Sequence, residues 1–147
     1  MQELGYNYRI TEMQAALGIS QLKRLDWSIE RRNEIAKKYD EAFKGSIVKT
    51  PFRGEGLVHA FHLYIIQVPA DKRKGLYDYL RANNVYSQVL YIPAHLMPYY
   101  RQFGWKKGDM PVAEDYYTKC LALPMFPTLT DEEQDWVITK VKEFFRI

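Results

Sequence analysis

The sequence lacks the features that mark exported, membrane-spanning or strongly charged proteins. Its single cysteine, Cys120, excludes an intramolecular disulfide. No apolar run approaches the roughly 18 residues that a membrane-spanning helix needs, and the opening letters MQELGYNYR show no basic stretch followed by an apolar one. The net charge of +3 is small and its charges are interspersed. We therefore expect a cytoplasmic protein with no membrane and no nucleic-acid partner.

Common catalytic and metal-binding patterns are also missing. The eight glycines are scattered, so no glycine-rich phosphate loop is present. Of the three histidines, His59 and His62 would lie on opposite faces of an alternating strand and His95 is distant in sequence, so we expect no metal site. Cys120 is expected on a helix as a small buried apolar residue, and not as a nucleophile.

What the sequence does contain is apolar and aromatic residues, at 47% and 15%, enough for one globular domain over residues 1–147. The clearest helix signal is a T-x-x-Q capping box at Thr11, followed by apolar residues at spacings of three, four or seven. This pattern predicts one helix of about 30 residues that ends near Gly45. At roughly 45 Å it would be longer than the domain is broad, so it should reach other protein.

The remaining elements alternate between strands and helices. Val, Ile and aromatic residues predict strands, proline and acidic residues predict helix starts, and a loop rich in aromatic residues separates the two halves. The predicted elements are strand 61–68, helix 72–82, strand 85–91, loop 91–110, helix 111–121 and a last helix 131–146 capped by Thr130. Residues 121–127 contain too much proline for a central strand. The expected fold is therefore α/β, with a long first helix, a small sheet and flanking helices.

Two polar and aromatic clusters are not explained by a plain core. Asn7 and Arg9 come just before the first helix, where backbone amides and the helix dipole favour an anion such as phosphate. The same two residues could instead simply cap the entry of the chain. The second cluster, YIPAH, places Tyr91 and His95 in the long loop.

These clusters belong to longer stretches that resemble the DegT-type sugar aminotransferases. The first stretch is GYNYRITEMQAALG at 5–18, followed by QLKRLD at 21–26. Further matches occur in the same order downstream: HLY at 62–64, YIPAH at 91–95, PVAE at 111–114 and LPMFPTLT at 123–130. Within the family, MQELG and LPMFP are most similar to the aminotransferases of pseudaminic acid biosynthesis. The resemblance covers essentially the whole chain.

The resemblance implies the α+β C-terminal domain of a fold-type-I aminotransferase that uses pyridoxal 5'-phosphate. In that family the Schiff-base lysine belongs to an N-terminal domain, which we expect to lie outside these 147 residues. The chain would then hold no catalytic residue and be inactive alone. Asn7 would bind the cofactor phosphate of a neighbouring subunit, with Arg9 as a second candidate, and Tyr91 and His95 would line the sugar-nucleotide site.

The implied reaction of the full-length parent moves an amino group from L-glutamate to a 4-keto-6-deoxy sugar nucleotide, with a UDP-linked sugar preferred. Such a reaction serves bacterial surface-glycan or nonulosonic acid biosynthesis, and the family works as a homodimer. The alternative is a non-catalytic dimerisation module with the same fold. In either case we expect an uncovered surface formed by Ile19, Leu22, Tyr91, Tyr99, Tyr100 and Trp105.

Overall fold

The computed structural model describes residues 8–54 and 56–147. Helices surround a small antiparallel sheet, which confirms the expected fold class. The elements are α1 (Glu12–Leu22), α2 (Leu25–Phe43), β1 (Tyr64–Gln67), α3 (Ala70–Ala82), a 3₁₀ helix (Ala94–Leu96), α4 (Pro98–Arg101), α5 (Pro111–Lys119), β2 (Cys120–Leu123) and α6 (Asp131–Phe145). Within the described residues, no helix is both long and apolar enough to cross a membrane.

The predicted 30-residue first helix is in fact two helices. The capping box at Thr11 is confirmed, but α1 ends after Leu22 and α2 starts at Leu25. The break falls at Lys23 and Arg24, which carry no glycine or proline signal. α1 has no buried residue, whereas the buried residues of α2 all lie between Ile35 and Phe43. Periodicity alone could not reveal this break, because the apolar spacing continues across it.

The sheet also differs from the prediction. β1 pairs antiparallel with β2, with Tyr64 opposite Leu123 and Gln67 opposite Cys120. All four β2 residues are buried, so the expectation of no central strand within 121–127 was wrong. The strand is short enough to end before Pro124, and that proline therefore does not interrupt a hydrogen bond of the ladder.

The predicted strand 85–91 is reduced to a single bridge. Gln88 exchanges both backbone hydrogen bonds with Ala122, at 3.0 and 2.9 Å, on the edge of β2 away from β1. The prediction that Cys120 lies on a helix was likewise wrong, since it begins β2. Its side chain is buried as expected, and burial raises the pKa of the Cys120 thiol, which keeps it protonated.

One core joins α2, the sheet, α3 and α6, and buried polar contacts fix the outer helices to it. The cap of α6 is a second capping box, in which Thr130 Oγ1 accepts from the Glu133 amide at 3.1 Å. Gln134 on this helix is buried and donates to the Ile35 carbonyl at 2.7 Å. Arg32 donates to the carbonyls of Phe61 and Met125, at 2.7 and 3.1 Å. α2 is thus tied both to α6 and to the segments around the sheet.

Candidate functional site

The first predicted site lies at the entry to α1. The Thr11 amide donates to Gln14 Oε1 at 2.9 Å and the Gln14 amide donates to Thr11 Oγ1 at 3.3 Å, so the capping box uses two donors of the first turn. Arg9 is exposed and lines an open surface cavity of about 460 Å³ with Tyr8, Ile10 and Gln14. Asn7, the other predicted phosphate-binding residue, lies outside the described residues.

The chemistry of this entry suits part of a phosphate site. A guanidinium group beside the positive end of a helix dipole is the kind of donor set that phosphate oxygens bind. Arg9 is exposed, so the part of the chain that the structure describes does not enclose a phosphate there. Arg9 is therefore chemically suited to bind a phosphate only together with other groups, and its assignment to the cofactor phosphate stays a prediction.

The second predicted site places its two residues in opposite environments. Tyr91 is 91% exposed, whereas His95 is only 8% exposed. His95 lies in the 3₁₀ helix Ala94–Leu96, whose turn is closed by the Leu96 amide donating to the Pro93 carbonyl at 2.8 Å. Tyr91 precedes this turn. Short spacing in the sequence thus does not give the two side chains a common environment.

His95 is held by a residue to which the sequence analysis gave no role. Its Nε2 lies 2.9 Å from Oε1 of Glu114 in α5, and the two side chains are 7% and 13% exposed. The Gly108 amide donates to the same Oε1 at 2.7 Å. His95, followed by the Gly108 amide, holds the pKa of Glu114 below its usual value. The only sequence signal for Glu114 was its place in the PVAE match, since the contact spans 19 positions.

Tyr91 lies beside a cavity of about 630 Å³ between α3 and residues 86–91. The Arg81 guanidinium lines it, 5.7 Å from the ring centroid of Tyr86, and His62 lines it as well. Its lining therefore combines aromatic rings with a cationic group. A planar base can stack on such rings, and a phosphate can bind the guanidinium.

A larger cavity of about 710 Å³ lies between residues 84–88, the end of β2 and α6. It is lined by Phe126 and Trp136 among other mainly apolar residues, and by none of the predicted site residues. Its carboxylates, Glu132 and Glu133, are unsuited to a phosphorylated ligand. We therefore assign the candidate site to the entry of α1, which holds Arg9, and to the loop that holds Tyr91 and His95.

The histidines do not form a metal site in the described part of the chain, where no group of three His, Cys, Asp or Glu residues could hold an ion. His59 and His62 both precede β1, which begins at Tyr64, so neither lies on a strand. His59 instead has a local role, since its Nδ1 accepts from the Phe61 amide at 2.9 Å. Across residues 8–54 and 56–147, no direct hydrogen bond or ion pair links Arg9, Tyr91 and His95 to one another.

These residues lie within the span of a known protein family. The model of the DegT/DnrJ/EryC1/StrS aminotransferase family matches residues 1–142. The chain belongs to this family. Family membership accounts for the motif order across the chain, including the stretches that hold Arg9, Tyr91 and His95.

Curated relatives match almost the whole chain. The spore coat polysaccharide biosynthesis protein SpsC of Bacillus subtilis is 41% identical over 97% of this chain and 38% of its own length. The GDP-perosamine synthase of Escherichia coli O157:H7 is 31% identical over 97% of this chain and 38% of its own length. The chain thus spans well under half the length of the curated relatives it matches.

Solved structures agree in fold. The putative sugar aminotransferase Spr1654 of Streptococcus pneumoniae in its PLP form is 29% identical, with a TM-score of 0.87 over 94% of this chain and 36% of its own. A PMP form of the same protein matches as well. Helicobacter pylori PseC, an aminotransferase involved in pseudoaminic acid biosynthesis, is 28% identical, with a TM-score of 0.86 over 99% of this chain and 40% of its own. Structural relatives in this family therefore carry pyridoxal or pyridoxamine phosphate.

Proposed function

We propose that this chain is the C-terminal part of a pyridoxal-phosphate-dependent aminotransferase that acts on a nucleotide sugar. The observation that carries the proposal is the family match over residues 1–142, which includes every predicted site residue. Relatives with sugar or polysaccharide names match the same span. The anion-suited entry at Arg9 and the buried His95 support it from the structure.

Bound pyridoxal phosphate would supply an electron sink for moving an amino group between carbon atoms. The residues of this chain would bind the cofactor and the substrate and orient them. Arg9, together with Asn7, would donate to the phosphate of the cofactor. His95 would contact the sugar, and Tyr91 would offer a ring face to the nucleotide half of the substrate.

We base the identity of the substrate and of the amino donor on the same family similarity. We take the substrate to be a UDP-linked 4-keto-6-deoxy sugar and the amino donor to be L-glutamate, in surface-glycan or nonulosonic acid biosynthesis. The PseC match supports the nonulosonic branch. The GDP-perosamine synthase match makes a GDP-linked sugar the first alternative to test.

We also propose that the reactive lysine lies outside these 147 residues. Several lysines of this chain are held as charged partners: Lys74 and Lys119 make ion pairs along their own helices, and Lys140, 12% exposed, pairs with Glu143 at 2.6 Å. A Schiff-base lysine must be available as a neutral amine. Borohydride reduction of the chain mixed with pyridoxal phosphate should label no single lysine stoichiometrically. Stoichiometric labelling of one lysine would contradict this.

We also propose that the parent enzyme is a homodimer, because none of the residues of α1 is buried within this chain. Ile19, Leu22, Tyr91, Tyr99, Tyr100 and Trp105 are all exposed, as the sequence predicted. A second copy would cover such a surface.

The direct experiment uses the full-length enzyme that contains this chain. Purified enzyme is incubated with L-glutamate and either UDP- or GDP-linked 4-keto-6-deoxy sugar, and the amino sugar is detected by mass spectrometry. We expect glutamate-dependent product with the UDP-linked sugar, and its loss in a His95→Ala variant. No product with either sugar, from enzyme that retains its cofactor, would refute the function.

A further inference from the structure

Glu114 joins three parts of the C-terminal half. It stands in the first turn of α5, its Oε1 lies 2.9 Å from Nε2 of His95 in the 3₁₀ helix, and the same atom accepts from the Gly108 amide at 2.7 Å. A hydrogen bond from the Met110 backbone also lowers the pKa of Glu114. One carboxylate therefore closes the loop between the 3₁₀ helix and α5.

We propose that Glu114 is a positioning residue that fixes the tautomer of His95: whenever the imidazole is neutral, its ring proton is held on Nε2, which leaves Nδ1 as a hydrogen-bond acceptor for the substrate. The identity of that substrate rests on the proposed function. The tautomer itself does not, since it follows from contacts inside this chain.

The choice of nitrogen follows from hydrogen-bond chemistry. An ionised carboxylate can only accept, so the nitrogen that faces Glu114 must carry the proton. The pKa of Glu114 is lowered, chiefly by His95 and then by the Gly108 amide, so its carboxylate is ionised at neutral pH. In the neutral ring the other nitrogen, Nδ1, then carries a lone pair and no proton.

This arrangement defines the ligand group that His95 can recognise. A neutral imidazole that presents Nδ1 binds a donor, such as a sugar hydroxyl or an amino group, and not a carbonyl oxygen. Because His95 is held by a buried partner, its ring does not need to be ordered when the ligand arrives. A ketone oxygen of the substrate would have to be bound elsewhere.

Nitrogen NMR of the histidine side chains tests the proposal on the chain as it stands. Two-bond proton–nitrogen spectra, recorded at alkaline pH where an imidazole is neutral, distinguish the two tautomers. The His95 signal is assigned as the one absent in His95→Gln. We expect the wild-type signal to be that of the Nε2–H form alone.

Variants of the partner separate positioning from general structure. Glu114→Ala should lower the ratio of Nε2–H to Nδ1–H at least about tenfold, because a charge-assisted hydrogen bond is lost. Glu114→Gln should keep the wild-type tautomer, because its amide oxygen still accepts. Asp115→Ala, on the same helix and paired with Lys119, is the matched control and should change nothing.

Two results would overturn the proposal: a wild-type His95 that is mixed or protonated on Nδ1, or an unchanged ratio in Glu114→Ala. If that variant fails to fold, the wild-type spectrum still decides. Failure of the proposed function remains separate, since the tautomer is read without cofactor or substrate. A fixed tautomer with full activity in His95→Ala would reject the substrate role of His95 alone.

Discussion

The two halves of the candidate site differ in how much of their environment this chain supplies. His95 is enclosed by its own chain, with Glu114 and the Gly108 amide in place. Arg9 lies on an open surface at the start of a helix that buries nothing. The C-terminal region therefore has its contacts in place within this chain, whereas the described residues at the entry to α1 do not enclose a ligand by themselves. Changes at α1 should affect association and cofactor binding, while changes at Glu114 should affect the pH dependence of the free energy of unfolding.

The largest effect is expected on association through α1. Ile19 and Leu22, 59% and 67% exposed, are three positions apart and so are neighbours on the helix surface. Replacing both with serine should weaken self-association by about 100-fold or more, because roughly 25 cal/mol is lost per Å² of apolar contact. Sedimentation equilibrium at micromolar concentration measures this. Val112→Ser, at an exposed apolar position of α5, is the control.

A wild-type chain that sediments as a 17.4 kDa monomer at all concentrations would remove the basis for this comparison. It would show that the apolar residues of α1 remain exposed to solvent and do not mediate self-association. Equal weakening by Val112→Ser would instead move the interface away from α1.

The next effect concerns the cofactor phosphate in the proposed full-length enzyme. Loss of one charge-assisted hydrogen bond costs about 1.5–3 kcal/mol, so Asn7→Ala should raise the cofactor dissociation constant roughly 10- to 150-fold. Arg9→Gln should raise it in the same direction. Arg101→Gln, an exposed arginine of α4, should leave it unchanged. An unchanged constant in both Asn7→Ala and Arg9→Gln would reject the phosphate assignment.

The C-terminal half should also show a pH dependence. His95 and the Gly108 amide hold the pKa of Glu114 below its usual value of 4.5. A group whose folded pKa is lowered stabilises the fold above its unfolded pKa, and this contribution is lost as pH falls through the folded value. The free energy of unfolding should therefore fall below about pH 4.5 less steeply in Glu114→Gln than in the wild type.

Asp131→Asn is a useful comparison for that slope, since Arg31 lowers the pKa of Asp131. This substitution should also reduce the dependence of the unfolding free energy on pH in the acidic range, and it leaves the contacts of His95 unchanged. Urea unfolding at a series of pH values between about 3 and 6 gives both slopes. Identical slopes in Glu114→Gln and wild type would show that ionisation of Glu114 does not contribute to the pH dependence of the unfolding free energy.

The sequence predicted what depends on local signals. The capping boxes at Thr11 and Thr130 were correct, because both partners of each box lie within four residues. The break at Lys23 and Arg24 was missed, because the apolar spacing continues across it. β2 was missed because Leu121 and Ala122 form a strand only through their partners β1 and Gln88.

The candidate site shows the same division. Arg9 and His95 stood out through their motifs, but nothing near His95 in the sequence indicated that it would be buried. Its partner Glu114 is 19 positions away, across a loop whose path depends on packing. Pairing of side chains across a loop needs the folded chain, so the sequence could name the histidine without naming what holds it.

The smallest effect compares the two capping boxes directly. Thr130→Ala should lower the free energy of unfolding by about 1 kcal/mol, because α6 packs on α3 and folds with the core. Thr11→Ala removes the same type of hydrogen bond from α1, which buries nothing in this chain. It should therefore reduce helical content at α1, seen as faster amide exchange over residues 12–22, while the global unfolding free energy stays within about 0.5 kcal/mol of wild type. Equal losses in the two variants would show that α1 unfolds together with the core, and that the entry to the predicted phosphate site is as well organised as the surroundings of His95.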